Sequence, residues 1–330
     1  MLSSLGRAIV LGLAVVLLPS ASVTAQGPSA TGAPPGAWDQ PGLIASDGPV
    51  LAAVSCSSPT ACWALGASGA AYQYDGSSWS APVTIDIYNT NSISCPATDF
   101  CMVATLQGTA ASWDGTSWTD PKRFDTDQNG TYGAACASAT FCAAVNAVGQ
   151  AYLWDGKAWG AAIPVDAAAQ AAVDDVNAGK GYDSLHLWID CPVEGMCMMV
   201  DSAGSAFALR DGSWSAAMPI GLPVGSKPLA LSCASATFCV VGGNGSGAVA
   251  TWDGTTWTIQ PDAPNVSNLD CASATFCMAA PNYWYVYDGS QWLFSGFDVV
   301  SPPQLNDVDC PTQTFCVGVG PGGYVSLYHG

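Results

Sequence analysis

Apolar and polar positions alternate along this chain in short runs, each broken by a turn. The stretch from Ser92, "SISCPATDFCMVATLQGTAASWDGTSWTDP", shows the pattern. A first segment ends at Cys95. A second starts at Phe100-Cys101 and runs apolar to Leu106. Gly108 turns the chain into a third, which ends at an aromatic-Asp-Gly turn, and a fourth begins at Trp118. Runs this short, with turn residues between them, predict β-strands rather than helices. Asp-Gly is a hairpin signal because glycine takes positive φ without a Cβ clash. It recurs at residues 75–76, 114–115, 155–156, 211–212, 253–254 and 288–289. A tryptophan follows each time: Trp79, Trp118, Trp159, Trp214, Trp257 and Trp292. Glycines 69, 108, 149, 204 and 323 each stand seven residues after a cysteine.

The same unit recurs along the chain. "CASATFC" is written three times, and all 14 cysteines fall into pairs six positions apart. Cys56 pairs with Cys62, Cys95 with Cys101, Cys136 with Cys142, Cys191 with Cys197, Cys233 with Cys239, Cys271 with Cys277, and Cys310 with Cys316. Their first members are 39, 41, 55, 42, 38 and 39 residues apart. Four strands in about 40 residues, repeated, describe a propeller blade. The seventh unit ends at "YVSLYHG" without a fourth strand. Trp38 precedes Cys56 by 18 residues, as Trp118 precedes Cys136 and Trp292 precedes Cys310. The fold expected is therefore an all-β, seven-bladed β-propeller of four-stranded blades over residues 38–330. The N-terminal strand completes the last blade and closes the ring.

The hydrophobic pattern differs at the start. Arg7 precedes an apolar run from Ala8 to Leu18, and Val23-Thr24-Ala25 offers a small-residue cleavage site. This predicts a signal peptide over 1–25 and a flexible segment over 26–37, so the chain is expected to be secreted or held in the cell envelope, with no membrane span after cleavage. Export favours disulfides within the seven pairs, each closing a hairpin and contributing about 2.4 kcal/mol in the chain-entropy model. Zinc is a poor competitor, since it needs closer cysteine spacing and the chain has only two histidines. The formal charge of −18 disfavours a nucleic-acid partner.

The aromatic-Asp-Gly-x-x-Trp turns resemble degenerate Asp-box repeats of the BNR-like, sialidase type. The whole unit, with its stapled hairpin, is similar to secreted actinobacterial β-propeller proteins. The resemblance implies the fold and makes sialidase chemistry a question. A sialidase of that kind holds its substrate carboxylate with three arginines and uses a Tyr–Glu nucleophile pair. Beyond the leader this chain has Arg123 and Arg210 only, and one glutamate, Glu194. The constellation cannot be built, and no nucleophile elbow, metalloprotease helix or phosphate loop is present. No catalytic residue is assigned, and glycoside hydrolysis stands as the lesser alternative.

Function is then sought where the chain departs from its own repeat. Trp159 and Cys191 are 32 residues apart, against 14 to 19 elsewhere. The extra piece begins Ala-rich, predicting a short helix ended at Gly179, and brings Lys180, Tyr182, Asp183, His186 and Trp188. "PNYWYVY" at 281–287 adds Tyr283, Trp284 and Tyr285. Both departures fall on the face that carries the loops after the second and fourth strands. Lys180, Tyr182, His186, Trp188, Tyr283, Trp284 and Tyr285 are the candidate ligand-binding residues, because aromatic faces with nearby polar groups suit a sugar ring or a partner's side chain. Asp190, Asp270 and Asp309 each precede a first cysteine and form a candidate Ca²⁺ set, against a solvated acidic lining as the simpler reading. No other cofactor is implied. The expected role is a non-catalytic binding module for a glycan or cell-surface ligand, with an envelope scaffold for an extracellular protein as the alternative.

Overall fold

The second strand of each repeat is apolar at nearly every position, and its burial explains why. In the computed structural model, all six residues of Phe100–Thr105 are buried, as are all six of Met196–Asp201. A strand inside one sheet is covered on both faces only when further sheets pack on each side. The model describes residues 36–46, 48–85, 87–180, 185–245, 247–279, 284–295 and 305–330. In these residues the strands form seven antiparallel sheets. The sheets follow one another around an axis, each built in chain order from the inner strand outward. Blade 1 comprises Leu51–Ser58, Ala61–Gly66, Ala70–Tyr74 and Val83–Thr84. The predicted 1–25 leader and residues 26–35 lie outside the described residues, as do Tyr182, Asp183 and Tyr283.

Ring closure follows the expectation. Ala37–Trp38 pairs with the last strand, Tyr324–His329, in the register Ala37↔His329 and Trp38↔Tyr328. The strand thus begins one residue before the expected boundary. Trp38 stacks on Trp284 with ring centroids 3.8 Å apart and lies 5.6 Å from Tyr328. Gly42–Leu43 adds a second short pairing to the same strand.

The hydrophobic core lies between blades rather than at one centre. Blades 7 and 1 share Val54, Tyr72, Phe315 and Val317. Blades 1 and 2 share Trp63, Leu65, Ile93 and Val103. Burial of such side chains is worth about 1.5–3 kcal/mol each, so every blade interface is a core in its own right.

All seven expected disulfides are formed. Cys62 is joined to Cys56, Cys101 to Cys95, Cys142 to Cys136 and Cys197 to Cys191. Cys239 is joined to Cys233, Cys277 to Cys271 and Cys316 to Cys310. Each bridge ties the inner strand of a blade to its second strand. In blades 1, 3, 5 and 6 the two cysteines face each other directly across the hairpin. The second cysteines Cys62, Cys142, Cys197, Cys239, Cys277 and Cys316 are fully buried, because they lie on the strand that is covered on both faces.

The Asp-Gly turns hold one refinement. In five of the six, the aspartate caps the turn. Asp75 Oδ1 accepts from the amides of Ser77 and Ser78 at 2.8 Å, and Asp114, Asp155, Asp253 and Asp288 repeat the contact. These hydrogen bonds hold Asp75 and Asp114 down at about 2. In blade 4 the turn is one residue shorter. Asp211 and Gly212 both take positive φ, 50° and 75°, and Arg210 pairs directly with Ser213. That is a two-residue hairpin turn of the kind whose twist matches its strands.

The predicted helix spans Ala167–Asn177. Asp166 caps it by accepting from Ala168 and Ala169, and Gly179 follows with φ +69°. Ala169 is fully buried against Val145, Leu187, Met199 and Phe207, which fixes the helix over blades 3 and 4. No helix among the described residues is long and apolar enough to cross a membrane.

Candidate functional site at the axial channel

The inner strands of the seven blades enclose an axial cavity of about 350 Å³. Its wall shows a regular construction. In six of the seven blades the residue before the first cysteine reaches across to the next blade and accepts that blade's cysteine amide. Ser55 Oγ accepts from Cys95 N at 3.0 Å, Ser94 Oγ from Cys136 N at 3.0 Å, and Ser232 Oγ from Cys271 N at 3.0 Å. Asp190 accepts from Cys233 N at 2.7 Å, Asp270 from Cys310 N at 2.7 Å, and Asp309 from Cys56 N at 3.2 Å. Blade 3 carries Ala135 at this position and cannot accept. Asp190 compensates, because its second oxygen takes the Cys191 amide of its own strand at 2.7 Å.

This geometry gives the three candidate carboxylates a structural task. One oxygen of each accepts an amide of the next blade, and Asp270 Oδ1 also accepts from Ser232 Oγ at 2.9 Å. Among the described residues no group of three or more His, Cys, Asp or Glu is placed to hold a metal ion. Asp190, Asp270 and Asp309 are inter-blade acceptors. Asp307, which the repeat does not single out, does the same work by accepting from Val54 N at 2.9 Å. The signal for the other three was present in the sequence. The position before the first cysteine reads Ser, Ser, Ala, Asp, Ser, Asp, Asp around the ring, an acceptor at all but one.

All four carboxyls in this narrow channel are raised, and the charge of Asp270 adds to the rise of Asp190, Asp307 and Asp309. Loss of hydration comes first in each case. It lifts Asp190 and Asp307 to about 7. Asp270 is raised too, and Asp309, facing the charges of Asp270, Asp307 and Asp190, is raised well above the usual range.

At the loop-side mouth of the channel, the candidate aromatics divide. His186 is exposed; its ring lies 5.1 Å from that of Tyr132 and 6.3 Å from that of Trp188. Tyr132 carries no signal in the sequence, since its position in the repeat is ordinary. Trp188 is half-buried and lines the channel. Lys180 is exposed just beyond the helix. Trp284, by contrast, is buried at 4% exposure against Trp38 and cannot serve as an open platform. It fills the space between blades 6 and 7. Tyr285 is half-buried and meets Phe294 edge-on at 5.7 Å. The structure therefore brings His186 and Trp188 together with Tyr132 and sets Trp284 and Tyr285 apart in the packing.

Seven four-stranded antiparallel blades closed by the N-terminal strand define the class: a seven-bladed β-propeller. No protein-family model matches the chain, and no curated protein matches it in sequence. Solved propellers do match. The chain is similar to YCF48 bound to a D1 peptide, at 15% identity over 89% of this chain and 97% of that one, with a TM-score of 0.65. YCF48 from Cyanidioschyzon merolae matches at 16% identity over 89% and 98%, with a TM-score of 0.66. The β-propeller domain of Cps50 (Swd1) from Myceliophteria thermophila matches at 12% identity over 88% and 98%, with a TM-score of 0.67. At these identities the likeness establishes the fold.

Proposed function

We propose that this propeller is a non-catalytic extracellular binding module that engages a glycan or cell-surface ligand through its loop face, at the rim formed by Tyr132, His186 and Trp188. The observation that carries this reading is the commitment of the carboxylates. Those in the channel accept amides from neighbouring blades, and those in five Asp-Gly turns accept amides from the turn. Neither set is an acid–base pair open to a substrate. The chemistry left facing outward at the channel mouth is aromatic and hydrogen-bonding, which suits recognition. The leader expected over 1–25 and the paired cysteines support export, and the Asp-Gly turns support kinship with degenerate Asp-box propellers.

A protein-binding scaffold of the envelope is the second reading, favoured by one comparison: a similar propeller is described bound to a peptide. One experiment separates them. The oxidised chain is presented to a glycan array and, in parallel, to extracted envelope proteins. Selective glycan binding that weakens about tenfold in Trp188→Ala supports the glycan reading. Binding to a single envelope protein that weakens in the same variant moves the assignment to the scaffold. Binding that survives both Trp188→Ala and His186→Ala refutes the rim as the site.

A further inference from the structure

A second groove lies away from the axis, between blades 2 and 3, with a volume of about 630 Å³. Its lining is out of character for an acidic chain. The chain has seven Lys and Arg in 330 residues and a net charge of −18, yet Lys122, Arg123 and Lys157 all line this one groove. Asp120 is the only carboxylate in the lining. The three cations are exposed, and none makes an ion pair among the described residues. Arg123 is held in place by donating from Nη1 to the Gln107 carbonyl at 2.7 Å. Trp154 and Trp159 complete the wall, half-buried, with centroids 5.8 Å apart.

The repeat shows that these cations are not there for the scaffold. Where blade 2 has Lys122-Arg123, blade 1 has Val83-Thr84, blade 3 has Ile163-Pro164 and blade 4 has Met218-Pro219. Where blade 3 has Lys157, other blades have a hydroxyl residue that bonds the turn aspartate. Ser77, Thr116, Thr255 and Ser290 each donate Oγ to Asp75, Asp114, Asp253 and Asp288 at 2.7 Å. Lys157 forgoes that hydrogen bond. A position that gives up a scaffold hydrogen bond and places a cation in a groove already lined by two others is explained by a ligand.

We propose that the groove between blades 2 and 3 binds an acidic glycan, a chain of carboxylated sugars. Lys122, Arg123 and Lys157 pair with the carboxylates, Trp154 and Trp159 lie against the sugar rings, and Ser112, Thr119 and Thr126 reach the hydroxyls. The volume falls in the usual range for small-ligand sites, about 300–1,000 Å³. An acidic peptide suits the groove less well. Peptides commonly add to an open strand edge, and the outer strand here, Lys122–Arg123, is only two residues long. The proposal does not depend on the channel-mouth reading, since the two sites share no residue.

The test is calorimetric titration of the oxidised full chain with tri-galacturonate, maltotriose and an oligo-glutamate, at low and at physiological salt. Lys157→Thr is the informative variant, because it restores the residue type of the other blades and keeps the turn. Galacturonate should bind, maltotriose should not, and Lys157→Thr should weaken binding about tenfold. Lys122→Val with Arg123→Thr, the pair found in blade 1, should abolish it. Trp188→Ala should leave it unchanged, which keeps this site distinct from the channel mouth. No binding of galacturonate, equal binding of the neutral sugar, or an unaltered Lys157→Thr overturns the proposal. Oligo-glutamate binding as tightly as galacturonate overturns the glycan assignment and leaves a general anion patch.

Discussion

At the scale of single residues, the ring is held by one small device repeated. A hydroxyl or carboxyl before six of the seven first cysteines accepts an amide that the neighbouring blade would otherwise bury without a partner. Ser55 shows this most simply, because its Oγ is the acceptor for Cys95 N and the pair is buried. Ser55→Ala should cost about 1–3 kcal/mol, the penalty for an orphaned buried donor. Denaturant unfolding of the oxidised chain measures it, and a variant indistinguishable from the parent would show that water takes over the bond. Blade 3 already carries alanine here, and there the carboxylate of Asp190 spans two amides instead of one. Asp190→Ala should therefore be more damaging than Ser55→Ala. Glu194 works likewise on the hairpin face, where Ser138 and Thr140 of the adjacent blade donate to its carboxylate and lower it.

At the scale of elements, the helix Ala167–Asn177 was legible from its alanines and from Gly179, but its anchor was not. Asp166 caps the helix with one oxygen, while the other is buried beside the carboxylate of Asp201. Burial and the charge of Asp201 raise Asp166 above its ordinary value. The two aspartates are 35 residues apart, and only the packing of blades 3 and 4 brings them together. Blade 3 shows the relaxed version: there the buried carboxylate is Asp125, and it meets the amide of Asn146 at 3.4 Å and the hydroxyl of Tyr152 at 3.1 Å. Asp201→Asn copies that arrangement. Its carbonyl oxygen can keep the 2.8 Å bond from Ser205 N, and its amide can donate to Asp166. The variant should be more stable by about 1 kcal/mol. Because Asp166 has a raised value in the folded state, its stabilising protonation is present at low pH and lost as pH rises. The gain from Asp201→Asn should thus grow as pH rises above the ordinary carboxylate range, and thermal melts across that rise decide it.

At the scale of the whole molecule, the repeat made the architecture readable and hid the site. Cysteine spacing, Asp-Gly turns and the split seventh unit are local signals, and together they specify seven blades and the way the ring closes. The fate of Trp284 depends on Trp38, 246 residues away, so an off-pattern tryptophan could not be told from a ligand platform until closure placed them together. The channel carboxylates raise a related point about closure. Asp190 and Asp307 are lifted to about 7 and Asp270 and Asp309 are raised with them, whereas an unfolded chain returns all four to near 4. A carboxyl raised on folding binds its proton more tightly in the folded state. Its contribution to stability is therefore complete below about pH 4 and is lost as pH rises through about 7. The exposed turn aspartates have the opposite sign, but with Asp75 and Asp114 near 2 their contribution changes only below about pH 4. Between these limits the channel governs, and the melting temperature should fall by several degrees from pH 5 to pH 8. Asp309→Asn tests the cause. Its carbonyl can still accept from Cys56 N, while one charge leaves the cluster. The variant should melt higher than the parent at pH 8, match it near pH 5, and show a shallower dependence between. An unchanged slope would mean that water in the channel screens the four carboxyls from one another, and that the ring closes on packing and amide bonds alone.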